Sequence, residues 1–597
     1  MILIFGGTTE GRAAVETLDA AGQTYYYSTR SELQQIECLH GLRISGAMEA
    51  GEIAAFCRKH GVRLLVDAAH PFAERLHRNI SRAAEELEIP VIRYERKYPR
   101  RDAGMIWCDS YDEAIRWLEE RKVDTLLALT GVQTISKLKE YWTKHPCWFR
   151  VLDRTESREL AIKQGFPAER LIFFDDPQKE EEMMSRLQPD AILTKESGDS
   201  GYFREKTEAA KRLQIPVVVI KRPPLPEGFY VVAGKHGLRH RVERLLPGFF
   251  PLRTGFTTGS CACAAAKAAL WTLLTGEKAE RVTITLPCGE EVELPVAATV
   301  KEENQVMCTV VKDAGDDPDV TDKREICAKV CFSEAKGVKF RAGEGVGTVT
   351  LPGLGLEVGE PAINATPRAM MRTETEKLLT EYRINKGVVI EIAVPGGADL
   401  ARKTFNPKLG IAGGISIIGT SGVVRPFSSE AFVATIRKEI QVAGALGCRH
   451  IVINSGAKSE RILKGRFPGL SPQAFIHYGN FIGDTLKIAV EEGIERITMG
   501  IMIGKAVKLA EGNTDTHSGI VSMNREFIAA LLCKAGGSAD CCRRIYDIAL
   551  ARELWTILPE DHPFFGLLVQ KCSDVCREFI GDCQLEILLI PEIPEKN

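Results

Sequence analysis

The chain opens on Ile2-Leu3-Ile4-Phe5-Gly6-Gly7-Thr8-Thr9-Glu10-Gly11-Arg12, and this stretch decides how the front of the protein folds. The apolar residues make a buried strand, the Gly/Thr turn ends it, and an amphipathic run to about Ala21 continues as a helix. A strand that passes through small residues straight into a helix leaves backbone N–H groups pointing at an anion, and the helix dipole adds to their pull. Gly6, Gly7, Thr8, Thr9 and Gly11 are therefore candidates for holding a pyrophosphate. The spacing is not Gly-x-Gly-x-x-Gly, and a strand–helix turn without a ligand produces the same pattern.

Working outward, the first 245 residues alternate short apolar runs with amphipathic ones. Strands are expected at 1–5, 24–28, 63–67, 90–94, 125–129, 147–151, 171–174, 190–194, 216–220 and 229–233. That pattern describes an α/β half built from two Rossmann-like, doubly wound parallel-sheet subdomains, about 1–100 and 101–247. The second strand ends in Ser28-Thr29-Arg30, where an NAD site would carry an acidic residue for the ribose hydroxyl. An arginine with two hydroxyls suits a 2′-phosphate and favours NADPH; a solvated loop arginine is the plain alternative.

Open α/β sheets build their sites at the carboxyl ends of strands. Two segments fall there, Asp67-Ala-Ala-His70-Pro71-Phe72-Ala73 and Thr194-Lys195-Glu196-Ser197-Gly198-Asp199-Ser200-Gly201. His70 and Lys195 are the candidate catalytic groups, Ser197 and Gly198 candidate substrate contacts; a turn histidine and a solvated lysine are the alternatives. Tyr202-Phe-Arg-Glu-Lys206 matches the Tyr-x-x-x-Lys of short-chain dehydrogenases, but so common a pattern earns no weight alone.

The bulk properties fit this picture. A length of 597 residues calls for about three or four globular units. With 44% hydrophobic and 26% charged residues the chain is an ordinary globular one, and a net charge of −2 gives no global field for nucleic acid or an anionic membrane. No apolar run approaches a membrane span, and the opening strand reaches Gly6 too early for a secretory h-region, so a cytoplasmic protein is expected. Seventeen cysteines include no Cys-x-x-Cys pair; reduced thiols and no metal are expected, with the cluster from Cys533 to Cys583 as the place for an alternative. A homo-oligomer is compatible with all of this.

Leu-Pro-Gly-Phe-Phe-Pro-Leu, between Leu245 and Arg253, marks a joint, with 248–252 as linker. Beyond it lies an α+β domain, 253–597, with antiparallel strands in 281–300 and 305–312. An inserted or appended α/β unit is expected around 434–510, with strands 450–454 and 496–501 and a helix-like 472–493 between them. Thr257-Thr258-Gly259-Ser260 precedes an alanine-rich helix and reads equally as a ligand loop or as an N-cap. Asp313 to Asp322 packs five carboxylates into ten residues: a divalent-cation loop without EF-hand spacing, an exposed acidic turn, or carboxylates such as Asp313 and Asp317 facing a cationic ligand. Glycine-rich loops around Asn364–Arg368, Lys403–Lys408 and Gly413–Gly422 suggest backbone approaching a ligand, or tight turns.

The front motifs, taken together and in this order, resemble precorrin-6A reductase. The rear half resembles cobalt-precorrin-5B (C1)-methyltransferase over its whole length. Its carriers are Arg253-Thr-Gly-Phe-Thr-Thr-Gly-Ser-Cys, Asp313-Ala-Gly-Asp-Asp-Pro-Asp-Val-Thr, Lys403-Thr-Phe-Asn406-Pro, Gly413-Gly-Ile-Ser-Ile-Ile-Gly419-Thr420, Gly479-Asn480-Phe-Ile-Gly and Gly504-Lys505-x-x-Lys508-Leu-Ala. These resemblances imply a bifunctional enzyme of cobalamin biosynthesis that uses S-adenosylmethionine and NADPH on a carboxylate-rich macrocycle. They imply coenzyme contacts at Thr257, Thr258, Gly259, Ser260, Gly419, Thr420, Gly479 and Asn480. Substrate contacts are implied at Arg253, Arg368, Lys403, Asn406, Lys408 and Lys505. Gly-His is expected shortly before Gly504, where this chain has Ile501-Met502; His517 is the nearest substitute as a catalytic group. The rival is an NADP-dependent reductase fused to a non-catalytic tetrapyrrole-binding module, which predicts that fragment 253–597 does not bind S-adenosylmethionine.

Overall fold

A computed structural model describes residues 1–30, 32 and 34–591; the last six residues of the expected rear domain lie outside that range. The chain divides into two compact units, one of Met1–Arg253 with Gly289–Val292, the other of Thr254–Cys288 with the residues from Glu293 onward.

The first unit holds two six-stranded sheets. One runs Phe229–Ala233, Val91–Glu95, Leu64–Asp67, Ile2–Phe5, Tyr25–Thr29, Gly41–Ser45, with every neighbouring pair parallel. The other runs Ile106–Cys108, Val217–Ile220, Ala191–Lys195, Leu126–Ala128, Cys147–Leu152, Leu171–Phe174, again all parallel. Parallel strands are covered on both faces by their crossover helices, so they read as unbroken apolar runs. Ile2 and Ile4 pack with Leu18, Leu64 and Val66 on one face, while Leu3 and Phe5 pack with Ile53, Leu65 and Ile80 on the other. Strand alternation thus feeds two separate cores from one strand.

The two halves of this unit are not divided as the sequence pattern predicts. Phe229–Ala233, expected in the second subdomain, pairs with Val91–Glu95 at the edge of the first sheet. The helix Gly234–Leu245 follows it, and Leu238 and Val242 join the core around Ile2 and Ile4. Two strands carry no strong sequence signal. Gly41–Ser45 is a partly exposed edge strand, and Ile106–Cys108 is only three residues long.

Beneath the first sheet's carboxyl edge lies a buried ionic cluster. Asp67, 0% exposed, accepts from Arg93 Nη1 at 2.9 Å and lies 2.6 Å from His77 Nδ1, while His77 Nε2 faces the Pro71 carbonyl at 3.3 Å. Burial alone would raise the Asp67 carboxyl, but the His77 hydrogen bond and the Arg93 charge hold it below its ordinary value.

In the second unit the helix Thr258–Thr275 is buried along most of its length and packs on Gln305–Val311, Glu325–Ser333 and the helix Ala365–Glu381. Alanine lets these backbones approach closely. The sheet beneath it runs Ala298–Lys301, Gln305–Val311, Glu325–Ser333, Gly387–Ala393, Val338–Ala342, antiparallel except for the last pair. A separate four-stranded parallel sheet runs Phe475–His477, His450–Asn454, Arg496–Met502, Gln584–Ile590. The stretch 472–493, expected to be helical throughout, gives a short turn, the strand Phe475–His477, and only then the helix Ile482–Glu491. Ile501, in place of the expected glycine, is a fully buried residue of the Arg496–Met502 strand.

Removing Arg93 leaves a buried carboxylate short of its cation, so Arg93→Met should cost the first unit about 3–5 kcal/mol in denaturant titrations. The Asp67 carboxyl is depressed in the folded state, so its contribution is present above the ordinary carboxylate range and is lost as pH falls through the folded value. The variant should flatten that acid limb.

Candidate functional site

A cleft of about 1130 Å³ opens within the first unit, between the carboxyl ends of its two sheets. From the first sheet it is lined by Gly6, Gly7, Thr8 and Thr9, by Ser28, Thr29 and Arg30, and by His70 and Phe72. From the second sheet come Thr130, Arg150, Lys195, Ser197, Tyr202 and Lys206. Topology therefore gathers at one cavity the four front segments singled out in the sequence.

The Gly/Thr turn is built on a residue the sequence does not flag. Tyr27, fully buried, accepts from Gly7 N at 3.0 Å and donates to Gln34 Oε1 at 2.6 Å. A Cβ on Gly6 would lie 2.3 Å from the Tyr27 ring, and one on Gly11 would lie 2.7 Å from its hydroxyl and 2.9 Å from Gly6 Cα. These two glycines serve packing between turn, helix and second strand, and Gly11 does not line the cleft. Gly7 is different: its φ is +92° and the space beside it is open, as required of a turn that brings bare backbone up to a ligand. Thr8 caps the helix, accepting from Gly11 N at 3.0 Å while donating to the Ala68 carbonyl at 2.6 Å.

Arg96 ties the two sheet edges together. Its Nη2 donates to Glu10 at 2.7 Å and its Nη1 to the Ser197 carbonyl at 2.9 Å, and Ser200 donates to the other Glu10 oxygen. Burial would raise the Glu10 carboxyl, yet Arg96 and Ser200 hold it low. Gly198 does not line the cleft; a Cβ there would meet the Lys97 carbonyl at 2.7 Å, so this glycine serves the same joint.

His70 Nδ1 accepts from Phe72 N at 3.2 Å, which leaves its proton on Nε2. The ring is reached by solvent, but the cleft walls and the cations Arg96, Lys195 and Arg93 push it down to about 3. His70 is thus a neutral hydrogen-bond donor and not an acid. Burial and Lys137 lower the Lys195 ammonium to about 8, and it sits 5.3 Å from the centre of the Phe72 ring. Tyr202 and Lys206, given no weight in the sequence, both line the cleft.

In the second unit the candidates separate into groups. Thr258 donates to the Ile418 carbonyl at 3.2 Å and accepts from Ile418 N at 2.9 Å. Ser260 donates to the Gly422 carbonyl at 2.7 Å, and Thr257 accepts from Ser260 N at 3.2 Å. A Cβ on Gly259 would strike Pro367 at 2.6 Å, and one on Gly419 would strike Thr257 at 2.2 Å. The hydroxyls and glycines of 257–260 lock the helix to the 418–422 loop, which is the N-cap alternative; Thr420 is exposed on that loop.

Around the acidic segment, Lys312, 0% exposed, donates to Asp319 at 2.8 Å, and Asp319 also accepts from Thr321 N at 2.7 Å. Asp313 accepts from Gly315 N and Lys323, Asp322 from Ala314 N, and Asp317 from Phe427 N at 3.2 Å. Burial raises the Asp317 carboxyl. This is a loop folded about a buried lysine, and these carboxylates form no metal-competent group among the described residues.

Several basic candidates are committed elsewhere. Arg368 donates to the Ile363 and Pro361 carbonyls at 2.7 and 3.0 Å and to Glu360 at 3.1 Å, so it staples its own loop. Lys408 pairs with the buried Glu439 at 2.6 Å. Asn406 bridges the Gly414 carbonyl and Ser416. Lys403 is exposed and Arg253 half-buried. His517 is exposed, its Nδ1 accepting from Gly519 N at 3.1 Å.

A last group does assemble, at the carboxyl edge of the four-stranded sheet. Lys505 donates to the Gly479 carbonyl and to Asn480 Oδ1, the latter at 2.5 Å, and burial together with Lys508 lowers it to about 8. Gly479 has φ +56°, and a Cβ there would meet Phe432 at 2.7 Å. His477 Nε2 faces the Ser455 carbonyl at 2.8 Å on the adjoining strand end.

The fold and the cleft define a two-part α/β and α+β enzyme, and comparison with known proteins names the parts. Residues 1–240 match the family model described as precorrin-6x reductase CbiJ/CobK, residues 248–426 that of CbiD, and residues 515–592 that of the CbiD C-terminal domain. The cobalt-precorrin-5B C(1)-methyltransferase of Prosthecochloris aestuarii is 45% identical over 345 residues, 57% of this chain and 94% of that one. Among solved structures, the cobalamin biosynthesis protein cbiD of Archaeoglobus fulgidus is 31% identical, covering 44% of this chain and 82% of that one with a TM-score of 0.25. A CobK precorrin-6A reductase is 22% identical, covering 41% and 97% with a TM-score of 0.35. The chain belongs to the precorrin-6x reductase family at its front and to the cobalt-precorrin-5B C(1)-methyltransferase family at its rear, and is a bifunctional enzyme of cobalamin biosynthesis.

Ser260→Ala should lower the second unit's stability by about 1–2 kcal/mol in urea titrations, the scale of one buried hydrogen bond, and leave S-adenosylmethionine affinity unchanged. Lost affinity at intact stability would make Ser260 a ligand contact instead.

Proposed function

We propose that the second unit methylates C1 of cobalt-precorrin-5B with S-adenosylmethionine, and that the first unit then reduces the product, cobalt-precorrin-6A, to cobalt-precorrin-6B with NADPH. The supporting observation is the charge of the front cleft. Arg12, Arg30, Lys137, Arg154, Lys195 and Lys206 line it, beside Arg75, Arg96 and Arg150, which are paired with Glu49, Glu10 and Glu180; the carboxylates that line it among the described residues are Glu49 and Glu74. A nucleotide carrying a 2′-phosphate and a macrocycle edged with carboxylates are both anions that such a lining recognises.

The residues present fit NADPH. The open backbone at Gly7, with Thr8 and Thr9 at the helix start, would hold the pyrophosphate, and Ser28, Thr29 and Arg30 the 2′-phosphate. The bound coenzyme supplies a hydride. The remaining cations, with Lys195 foremost, would grip the macrocycle so that its double bond faces that hydride, and His70 would donate from Nε2 to a carboxylate or amide.

For the methyl transfer, S-adenosylmethionine supplies an electrophilic methyl group, and the ring carbon is already nucleophilic. Alignment and exclusion of water are then the chain's main tasks. We assign the sulfonium donor to the Gly479–Asn480 edge and the substrate's carboxylates to Lys505 and Lys403. Among the described residues no helix is long and apolar enough to cross a membrane. Seventeen cysteines with no Cys-x-x-Cys pair in the sequence fit a reducing compartment, the cytoplasm.

Feeding cobalt-precorrin-5B with both coenzymes and weighing the product tests this. One added methyl group should appear with S-adenosylmethionine alone, and two further hydrogens only when NADPH is present; an unmethylated product would remove the first step. Arg30→Ala should reduce the preference for NADPH over NADH by on the order of tenfold to a hundredfold, read from the ratio of kcat/KM values.

A further inference from the structure

Reduction of a ring double bond requires two deliveries. The hydride carries the electron pair to one carbon, leaving the coenzyme oxidised; the neighbouring carbon must receive a proton. His70 is lowered to about 3 and stays neutral, so it is no acid at physiological pH. The wall facing the Gly/Thr turn holds a better group. Lys206 lies on the helix Phe203–Arg212 with only 6% of the residue exposed, yet it borders the cleft. Its Nζ donates to the Gly201 carbonyl at 2.7 Å, which fixes the amine and leaves N–H groups to spend.

Resting on the reduction proposed above, we propose that Lys206 is the proton donor of the front cleft. Its ammonium gives a proton to the ring carbon beside the one that takes the hydride. The N–H electrons remain on the amine as a lone pair, and solvent returns the proton.

The surroundings suit the task. Arg150 and Glu180 form a buried ion pair next to Lys206, with Arg150 4.9 Å from the centre of the Phe174 ring. Burial first, then Arg150 and Lys195, outweigh the opposing pull of Glu180 and Glu205 and bring the Lys206 ammonium down to about 7. An acid whose pKa lies near the working pH transfers its proton with the least compromise between population and strength. Lys195 is the rival amine, but it sits over Phe72, as a cation held for binding. Tyr202, which opens the same helix, keeps a left-handed backbone at φ +53° and lies over Phe174 with ring centres 5.7 Å apart. A bulky residue holds that conformation only where its surroundings enforce it.

The test uses the full chain with cobalt-precorrin-6A and saturating NADPH. In the wild type the rate should fall as pH rises through about 7, because only the protonated amine can donate. Lys206→Arg keeps the charge but cannot release a proton at these pH values. It should lower kcat by about 10²- to 10⁴-fold with little change in KM for the tetrapyrrole, abolish the limb near 7, and enlarge the solvent deuterium isotope effect. Retention of kcat by the arginine variant, or a wild-type rate flat through the neutral range, overturns the lysine's role while leaving the reduction standing. Should the arginine variant not fold, the wild-type profile and isotope effect decide alone. No NADPH oxidation by the wild type overturns the reduction itself, and the proposal with it.

Discussion

A parallel strand reaches its neighbour only through a crossover, and the crossover covers the sheet. Once helices occupy both faces, the carboxyl ends of the strands are the part of the sheet left to carry chemistry. Three sheets of this chain obey that constraint, the two in the first unit and the four-stranded one in the second. In the first unit two carboxyl edges bound one cleft, so residues as distant in sequence as Gly7 and Lys206 come to line the same space.

The cleft's shape rests on a few contacts that carry no ligand. Tyr27 fills the space beneath the Gly/Thr turn, and Arg96 clamps Glu10 to the Ser197 segment. Both exploit absences: glycine at 6 and 11 makes room for the phenol, and glycine at 198 lets the Lys97 carbonyl approach. Substitution at any of these positions would act on binding through geometry.

How much of this was legible in the sequence follows from the same physics. The central strands announce themselves because they are buried on both sides, as Ile2–Phe5 and Leu64–Asp67 are. The return of Phe229–Ala233 to the first sheet was not legible, since an edge strand's partner is chosen by tertiary packing and not by its own residues. The loop 257–260 reads two ways because small and hydroxylated residues serve a ligand and a close helix contact equally well; the hydrogen bonds to Ile418 and Gly422 account for the helix contact. Basic residues were the hardest. Arg368 and Lys408 look like substrate contacts in sequence but are committed to Glu360 and Glu439, whereas Arg150 and Lys206 gave no usable signal and line the cleft.

The fusion holds a reductase-family unit and a methyltransferase-family unit of cobalamin biosynthesis in one chain. The proposed function divides the front cleft between its walls, with coenzyme on one and macrocycle on the other. Amide hydrogen exchange on the full chain tests it directly. NADPH alone should slow exchange around 6–12 and 28–30, and cobalt-precorrin-6A should add protection around 150 and 195–206. Protection of the same wall by both ligands, or of neither by NADPH, would contradict the divided cleft.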